Sequence, residues 1–203
     1  MKTVELNRKV NIFLKEILQP LGFKKTKKYD NYRISMPYGF AEIGYTYTNY
    51  MPHHYKVRFH ISVRIDIVET AFREIFSESE MSNPSYTMGM NLTYFGLEND
   101  HYKVHDDNSL QLAFMDFKKR MESVFSFLEQ CKILEMAAEI LSDEVLVGRN
   151  FHYIVHKKYH RMLLIQKLIG GADFNKCIEF IIAHPWYKNN PQLRNEFNMI
   201  INT

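Results

Sequence analysis

Three histidines stand four residues apart in the stretch FHYIVHKKYH, residues 151–160. His152, His156 and His160 would share one face of an α-helix, because each step of four residues turns only about 40° around the helix axis. Two neutral imidazoles at this spacing can bind zinc if a third ligand and a supporting carboxylate are present. The spacing therefore raises the question of a metal site.

The neighbouring residues argue against a metal. Zinc metalloproteases place a glutamate directly after the first histidine of the pair, whereas Tyr153 and Lys157 occupy those positions here. Lys158 and Arg161 add positive charge, and no acidic residue lies in the stretch, so a bound cation is disfavoured. We expect no metal and no other cofactor. The stretch is then either a solvated polar helix face or a basic binding surface. The second interpretation involves His152, His156, Lys157, His160 and Arg161.

Basic residues are concentrated in two parts of the chain, although the net charge is only +3. From Val145 to Ala172 there is no aspartate or glutamate, and residues 2–33 hold nine lysines and arginines against three acids. Cationic surfaces attract polyanions and release counterions when they bind phosphates. Polyanion or nucleic-acid binding through residues 145–172 is therefore one function that we consider.

The clearest strand of the chain is YKVRFHISVRI, residues 55–65. Its apolar and polar residues alternate, which predicts a sheet with one buried and one polar face. Arg58, His60 and Arg64 lie on the polar side, and Glu42 of the neighbouring strand can join them. This row is either solvated or the floor of a shallow binding surface. In the second case the partner would carry carboxylates or phosphates, because arginine forks match both groups.

Apolar periodicity predicts the elements that position these residues. Strands are expected at residues 29–36, 40–48 and 55–65, with a weaker hairpin formed by residues 91–95 and 101–104. Helices are expected at residues 4–19, 67–76, 151–169 and 173–183, with another from Pro191. A long helix should begin at Asn108 or Ser109 and either continue to Leu141 or bend near residues 123–126. Asp66 and Glu69 match a capping box at the start of the short helix.

The order of the elements predicts an α+β fold. We expect an N-terminal helix, an antiparallel sheet of about three to five strands with one helix-covered face, and a helical C-terminal half. Residues 1–107 would hold the first helix and the sheet, and residues 108–203 the helical part, packed together as one unit. The two cysteines, Cys131 and Cys177, fall in apolar helical stripes and are expected to be buried thiols.

The sequence contains no recognisable enzyme signature. Glycine-rich nucleotide motifs, the P-loop and the serine-hydrolase elbow do not occur. No window reaches the roughly 18 apolar residues of a transmembrane helix, and charged residues interrupt the apolar residues of the N-terminus, unlike in a signal peptide. We expect a cytoplasmic protein, without membrane contact and without catalytic residues. An enzyme of unrecognised type stays open, because catalytic groups need no proximity in sequence.

The segment FLKEILQPLGFKKTKKYDNYRI, residues 13–34, resembles the opening of the bacterial domain-of-unknown-function family 4304. The most specific part is LGFKK, residues 21–25, and the likeness covers at most residues 5–130. The resemblance implies an α+β fold and, from some relatives, an accessory or immunity-like role. It implies no catalytic residue. We therefore expect a non-catalytic domain that binds a protein partner, with nucleic-acid binding as the alternative. The oligomeric state stays open.

Overall fold

Helix α1 (Thr3–Leu18) opens the chain, and a 3-10 turn (Gln19–Leu21) follows it. The computed structural model describes residues 1–27, 30–76, 85–147 and 157–202, and for residues 144–147 it describes the backbone only. The apolar stripe of α1 is buried along its whole length. Gly22 ends the turn with a φ of 88°, a left-handed conformation that glycine adopts without a steric penalty.

In the described residues, six strands form one antiparallel sheet. They are β1 (Lys24–Lys25), β2 (Tyr32–Met36), β3 (Gly39–Met51), β4 (His54–Ile65), β5 (Met88–Asn91) and β6 (Tyr102–Val104). Their order is β1-β2-β3-β4-β5, and β6 also pairs with β4. The hairpin of β3 and β4 is much longer than its neighbours. On the other side of β3, pairing with β2 extends from Gly39 only to Ile43.

Helices make up the rest of the regular structure in the described residues. They are α2 (Asp66–Phe76), α3 (Asp107–Gln130), α4 (Leu134–Val147), α5 (Lys158–Leu168), α6 (Phe174–Ala183), α7 (Pro185–Lys188) and α8 (Pro191–Asn202). The predicted α+β fold is thus confirmed, with an N-terminal helix, an antiparallel sheet and a helical C-terminal half. In the described parts of the chain, no helix has the length and apolar character needed to cross a lipid bilayer.

Helices α1 and α3 cover the apolar face of the sheet. Phe59 of β4 stacks on Phe117 of α3, with ring centroids 4.2 Å apart. Phe13 of α1 stacks on Phe114 of α3 at 4.0 Å, which joins the two helices above the sheet. Rings of this size bury about 150–250 Å² each and dominate the energy of a core. The polar side chains of β4 therefore lie on the opposite face.

Two local predictions are wrong. Strands β5 and β6 do not form a hairpin, because each pairs with a different part of the twelve-residue β4 instead. The long helix neither continues to Leu141 nor bends near residues 123–126. It ends at Gln130, where the N–H groups of Lys132 and Ile133 bond the carbonyls three residues back and tighten the chain into a turn.

A buried ion pair joins the sheet half of the chain to the helical half. Glu69 of α2 is 0% exposed and accepts hydrogen bonds from Nε and Nη2 of Arg161 in α5, at 2.8 and 2.9 Å. The hydroxyl of Thr87 donates to the same carboxylate at 2.9 Å. The predicted capping box is wrong, because Glu69 bonds these core partners instead. Burial raises the pKa of Glu69, but the bond and charge of Arg161 outweigh it and hold that pKa below its usual range.

Breaking this ion pair on one side should destabilise the fold strongly. We expect Glu69→Ala to lower the free energy of unfolding by about 3–5 kcal/mol, because it leaves the guanidinium of Arg161 buried without the carboxylate that balances its charge. The double variant Glu69→Leu/Arg161→Met should lose less than the sum of the single losses, since it removes both charges. Urea-induced unfolding followed by circular dichroism measures all three values.

Glu129→Gln is a suitable control, because it removes an ion pair whose side chains are 39% and 67% exposed. It should have little effect on stability, as exposed pairs usually do. A loss for Glu69→Ala no larger than that of the control would show that the buried pair is not a major constraint.

Candidate functional site

A network of polar side chains surrounds Glu42 on the polar face of the sheet. Glu42 is only 1% exposed, and Arg33 lies directly opposite it on β2. Nε and Nη2 of Arg33 lie 2.7 and 2.6 Å from its Oε1. Asn31 donates to Oε2 at 2.9 Å, and the phenol of Tyr86 donates to the same oxygen. Both carboxylate oxygens are therefore already engaged, Oε1 by the guanidinium of Arg33 and Oε2 by two hydrogen-bond donors.

The groups that bond Glu42 are themselves held in place. Burial raises the pKa of Tyr86, and its bond to the Glu42 carboxylate raises it further, so the phenol stays protonated at neutral pH. The guanidinium of Arg33 lies 3.6 Å from the centroid of the Phe40 ring, and that ring meets Tyr86 edge-on. A cation in this position gains from the negative face of the ring. The network is thus rigid rather than poised for proton transfer.

His60 and Gly44 face each other across β3 and β4. A Cβ atom at position 44 would lie 2.0 Å from Oδ1 of Asn31 and 2.8 Å from Nε2 of His60. Glycine is therefore required here, because it lets the amide and the imidazole approach the strand. Burial lowers the pKa of His60 to about 4, although the charge of Glu42 opposes this shift. The imidazole is therefore neutral at pH 7.

Arg58 and Arg64 lie on the polar face beside His60, as predicted, but both bond acids of the same chain. Arg58 donates from Nε to Asp100 at 2.8 Å. Arg64 is 8% exposed and donates to Asp66 at 2.6 Å and to the hydroxyl of Ser85 at 2.9 Å. These internal partners compete with any carboxylate or phosphate from outside. An anion-binding role for the row stays a prediction without support from these contacts.

His160 and Arg161 are buried, at 2% and 1% exposure. The prediction of an exposed helix face is wrong for both residues, because acids from distant elements meet them. Nε2 of His160 lies 2.9 Å from Oε2 of Glu196 in α8, and its ring stacks on Phe197 at 4.2 Å. Burial lowers the pKa of His160 to about 4, with the charge of Glu196 opposing the shift.

Most basic side chains in the described part of residues 145–172 have internal partners. Nζ of Lys157 lies 3.4 Å from Oε1 of Glu196, and Lys167 donates to the last carbonyls of α8 at 2.7 and 3.0 Å. His152 and His156 lie outside the described residues. The described residues contain no group of three or more His, Cys, Asp or Glu side chains that could hold a metal. The expected basic surface is therefore largely absent from the part of the segment that the structure describes.

The outer edge of β3 is the other feature of interest. Beyond the end of β2, the residues Thr46–Met51 have no strand neighbour on that side among the described residues. Their sequence, TYTNYM, contains no charge and no proline. Edge strands of natural proteins usually carry charged residues or proline, because an unpaired row of N–H and C=O groups is otherwise a template for another strand. Tyr50 and Met51 are also 41% and 50% exposed. We call Thr46–Met51 the open edge.

No protein-family model, curated protein or solved structure matches this chain. The resemblance to the domain-of-unknown-function family 4304 therefore stays a prediction.

Two histidines with lowered pKa values, the half-buried His60 and the buried His160, should make stability depend on pH. His60 and His160 have pKa values of about 4 in the folded chain, against an ordinary value of 6.5. Between these values the unfolded chain binds more protons, so the free energy of unfolding should fall as the pH drops from 6.5 towards 4. Above pH 6.5 these two residues should contribute no further change. An NMR titration of the imidazole resonances should place both midpoints near pH 4.

His60→Gln should remove part of this pH dependence, because glutamine cannot be protonated in this range. A midpoint near 6.5 for His60 in the folded protein would contradict the burial that the structure gives it.

Gly44→Ala should destabilise the fold by about 1–3 kcal/mol, because the added methyl group overpacks the space that Asn31 and His60 fill. Asn31→Ala/Gly44→Ala should cost less than the two single changes together, since alanine at position 31 vacates that space. Urea unfolding measures the cycle. Thr46→Ala, on the exposed part of the same strand face, is the control, and Gly44→Ala with equal stability would show that the close approach does not matter.

Proposed function

We propose that this chain is a non-catalytic domain that binds a partner protein by pairing its open edge with an extended segment of that partner. The open edge, Thr46–Met51, is the observation that carries the proposal. Its outward N–H and C=O groups have no strand partner among the described residues. An added strand satisfies these groups, which is how many domains recognise extended peptides.

The open edge is ordered before any partner arrives. On its inner side it pairs with β4, from Thr46 opposite Arg58 to Met51 opposite His54, with a shift of register between Asn49 and Met51. Tyr47 packs edge-on against Tyr55, with ring centroids 6.0 Å apart. Six extended residues span about 20 Å, which is the length of an ordinary strand. Because the edge is already ordered, binding costs conformational entropy mainly on the side of the partner.

The polar network supports the non-catalytic part of the proposal. The carboxylate of Glu42 already accepts three hydrogen bonds and has a second close contact with the guanidinium of Arg33, so it is poorly placed to act as a base or a nucleophile. We include in the proposal an accessory or immunity-like role, as the family resemblance implies. We also include a cytoplasmic location, which the two buried and unpaired cysteines, Cys131 and Cys177, support.

Hydrogen exchange at the open edge tests the proposal. Three acetylated and amidated heptapeptides, in which valine alternates with serine, glutamate or lysine, serve as probes. We expect at least one of them to slow amide exchange within Thr46–Met51 by about tenfold or more, because strand pairing protects amides from solvent. NMR spectra of the ¹⁵N-labelled protein locate the effect. Fully N-methylated versions of the peptides should give no protection, because they cannot donate backbone hydrogen bonds.

A proline pair provides the matched variants. Neighbouring residues of a strand direct their N–H groups to opposite sides, so one of Thr48→Pro and Asn49→Pro removes an outward donor and the other an inward one. The outward variant should stay folded, since proline is tolerated on edges, and should lose peptide protection. The inward variant should unfold more easily. If none of the three peptides protects the open edge of the parent protein, the proposed function is wrong.

A further inference from the structure

We infer that the segment paired with the open edge is acidic. This inference rests on the proposed function, because it specifies the chemistry of the segment that the open edge receives. The cations on the elements beside the edge carry the argument. One group of cations lies on α1, which covers the apolar face of the sheet. The other group lies on the polar face, on strands β4 and β6.

The first group of cations lies on α1. The amide of Asn11 donates to the hydroxyl of Tyr45 at 3.0 Å, and that of Asn7 lies 3.5 Å from the hydroxyl of Tyr47. These contacts place one flank of α1 along β3, on the side away from α3. Arg8 and Lys15 are seven residues apart and therefore share one exposed stripe of α1, which adjoins Asn11 on the outer side of this flank.

Arg8 and Lys15 are exposed, and no acid of the described residues forms an ion pair with either. A strand added at the open edge would place every second side chain on this face of the sheet. Arg8 is the nearer cation, since Asn7 contacts Tyr47 of the edge, and Lys15 lies two turns further along α1, towards the part of β3 that pairs with β2. A carboxylate at such a position gains their attraction without displacing an internal partner.

The second group of cations lies on the polar face. Thr48 of the open edge faces Lys56 of β4, and Lys56 in turn faces Lys103 of β6. Like charges directly opposite each other destabilise a sheet. No acid in the described residues forms an ion pair with either lysine, and Nζ of Lys56 lies 5.5 Å from the centroid of the Tyr50 ring. A carboxylate beside Thr48 would relieve the repulsion, because threonine is short enough for Lys56 to reach over it.

The same cations argue against two other occupants. A second copy of this chain would bring its own Arg8, Lys15 and Lys56 to the same place, where like charges repel. A nucleic acid could neutralise the cations, but it has no peptide groups to satisfy the backbone of the open edge. An extended acidic segment of a protein satisfies both the backbone and the charges.

Fluorescence anisotropy with the three labelled heptapeptides tests the inference. We expect the glutamate peptide to bind at least about tenfold more tightly than the serine peptide, and the lysine peptide to bind more weakly than both. The advantage of the glutamate peptide should shrink as the salt concentration rises from about 0.05 to 0.5 M, because salt screens exposed charges. The affinity of the serine peptide should change little over the same range.

Charge reversal on α1 provides the matched variants. Arg8→Glu/Lys15→Glu should weaken binding of the glutamate peptide by about tenfold and strengthen binding of the lysine peptide. Lys118→Glu/Lys119→Glu changes the net charge equally, on the exposed side of α3. It should leave both affinities close to those of the parent, which separates local attraction from the overall charge.

The outcomes distinguish the inference from the function on which it rests. If the serine peptide binds as tightly as the glutamate peptide, the inference is wrong and strand pairing stands. If no peptide binds, the proposed function fails and the inference fails with it. A stable dimer in analytical ultracentrifugation that Thr48→Glu dissociates would overturn the inference, because the edge would then receive a second copy.

Discussion

The ion pair between Glu69 and Arg161 constrains the whole arrangement, because neither charge can be buried alone. Transfer of a single ion into a protein interior costs several kcal/mol, and only a well-placed partner with additional hydrogen bonds offsets that cost. Arg161 meets Glu69 with two donors and also lies 4.1 Å from the centroid of the Phe72 ring. Helix α5 can therefore enter the core only in the position where it docks on α2. One carboxylate thus fixes the helical half of the chain against the sheet.

Buried carboxylates also fix the segment that leads into β5. Thr87 donates its hydroxyl to Glu69 and accepts the N–H of Ile65 at 2.9 Å, while Tyr86 donates to Glu42. This arrangement uses arginines such as Arg161 inside the fold, although the sequence suggested a basic surface there. Arg8 and Lys15 on α1 and Lys56 and Lys103 beside the hairpin of β3 and β4 form no ion pair with the acids of the described residues. The exposed positive charge therefore does not lie where the sequence pattern predicts it.

Periodicity predicted the elements whose apolar residues repeat, and it could not predict partners that lie far apart in sequence. The alternation of residues 55–65 located β4 and its polar face, and the stripe of α1 located that helix. Glu69 matched a local capping pattern, yet its partner is 92 residues away. Arg161 lies in a helix in which His160 and Gln166 are also buried. The rule that polar residues mark the exposed side of a helix therefore gave the wrong side for α5. Tyr86 follows a stretch without apolar periodicity, so nothing in the sequence indicated that its hydroxyl bonds Glu42.

The open edge was hidden from the sequence for a geometric reason. The predicted strands at 29–36 and 40–48 were similar in length, whereas β2 has five residues and β3 has thirteen. Only this mismatch leaves Thr46–Met51 without a neighbour among the described residues.

An uncharged edge also needs protection from unwanted pairing, which charges or proline on the strand itself usually provide. Here the charges stand on flanking elements, at Arg8, Lys15 and Lys56, and the backbone stays accessible. This placement changes the kind of protection. A lysine on the edge discourages every incoming strand, whereas flanking cations repel basic strands and second copies but attract acidic ones. On the proposed function, the same cations therefore limit self-association and select the partner.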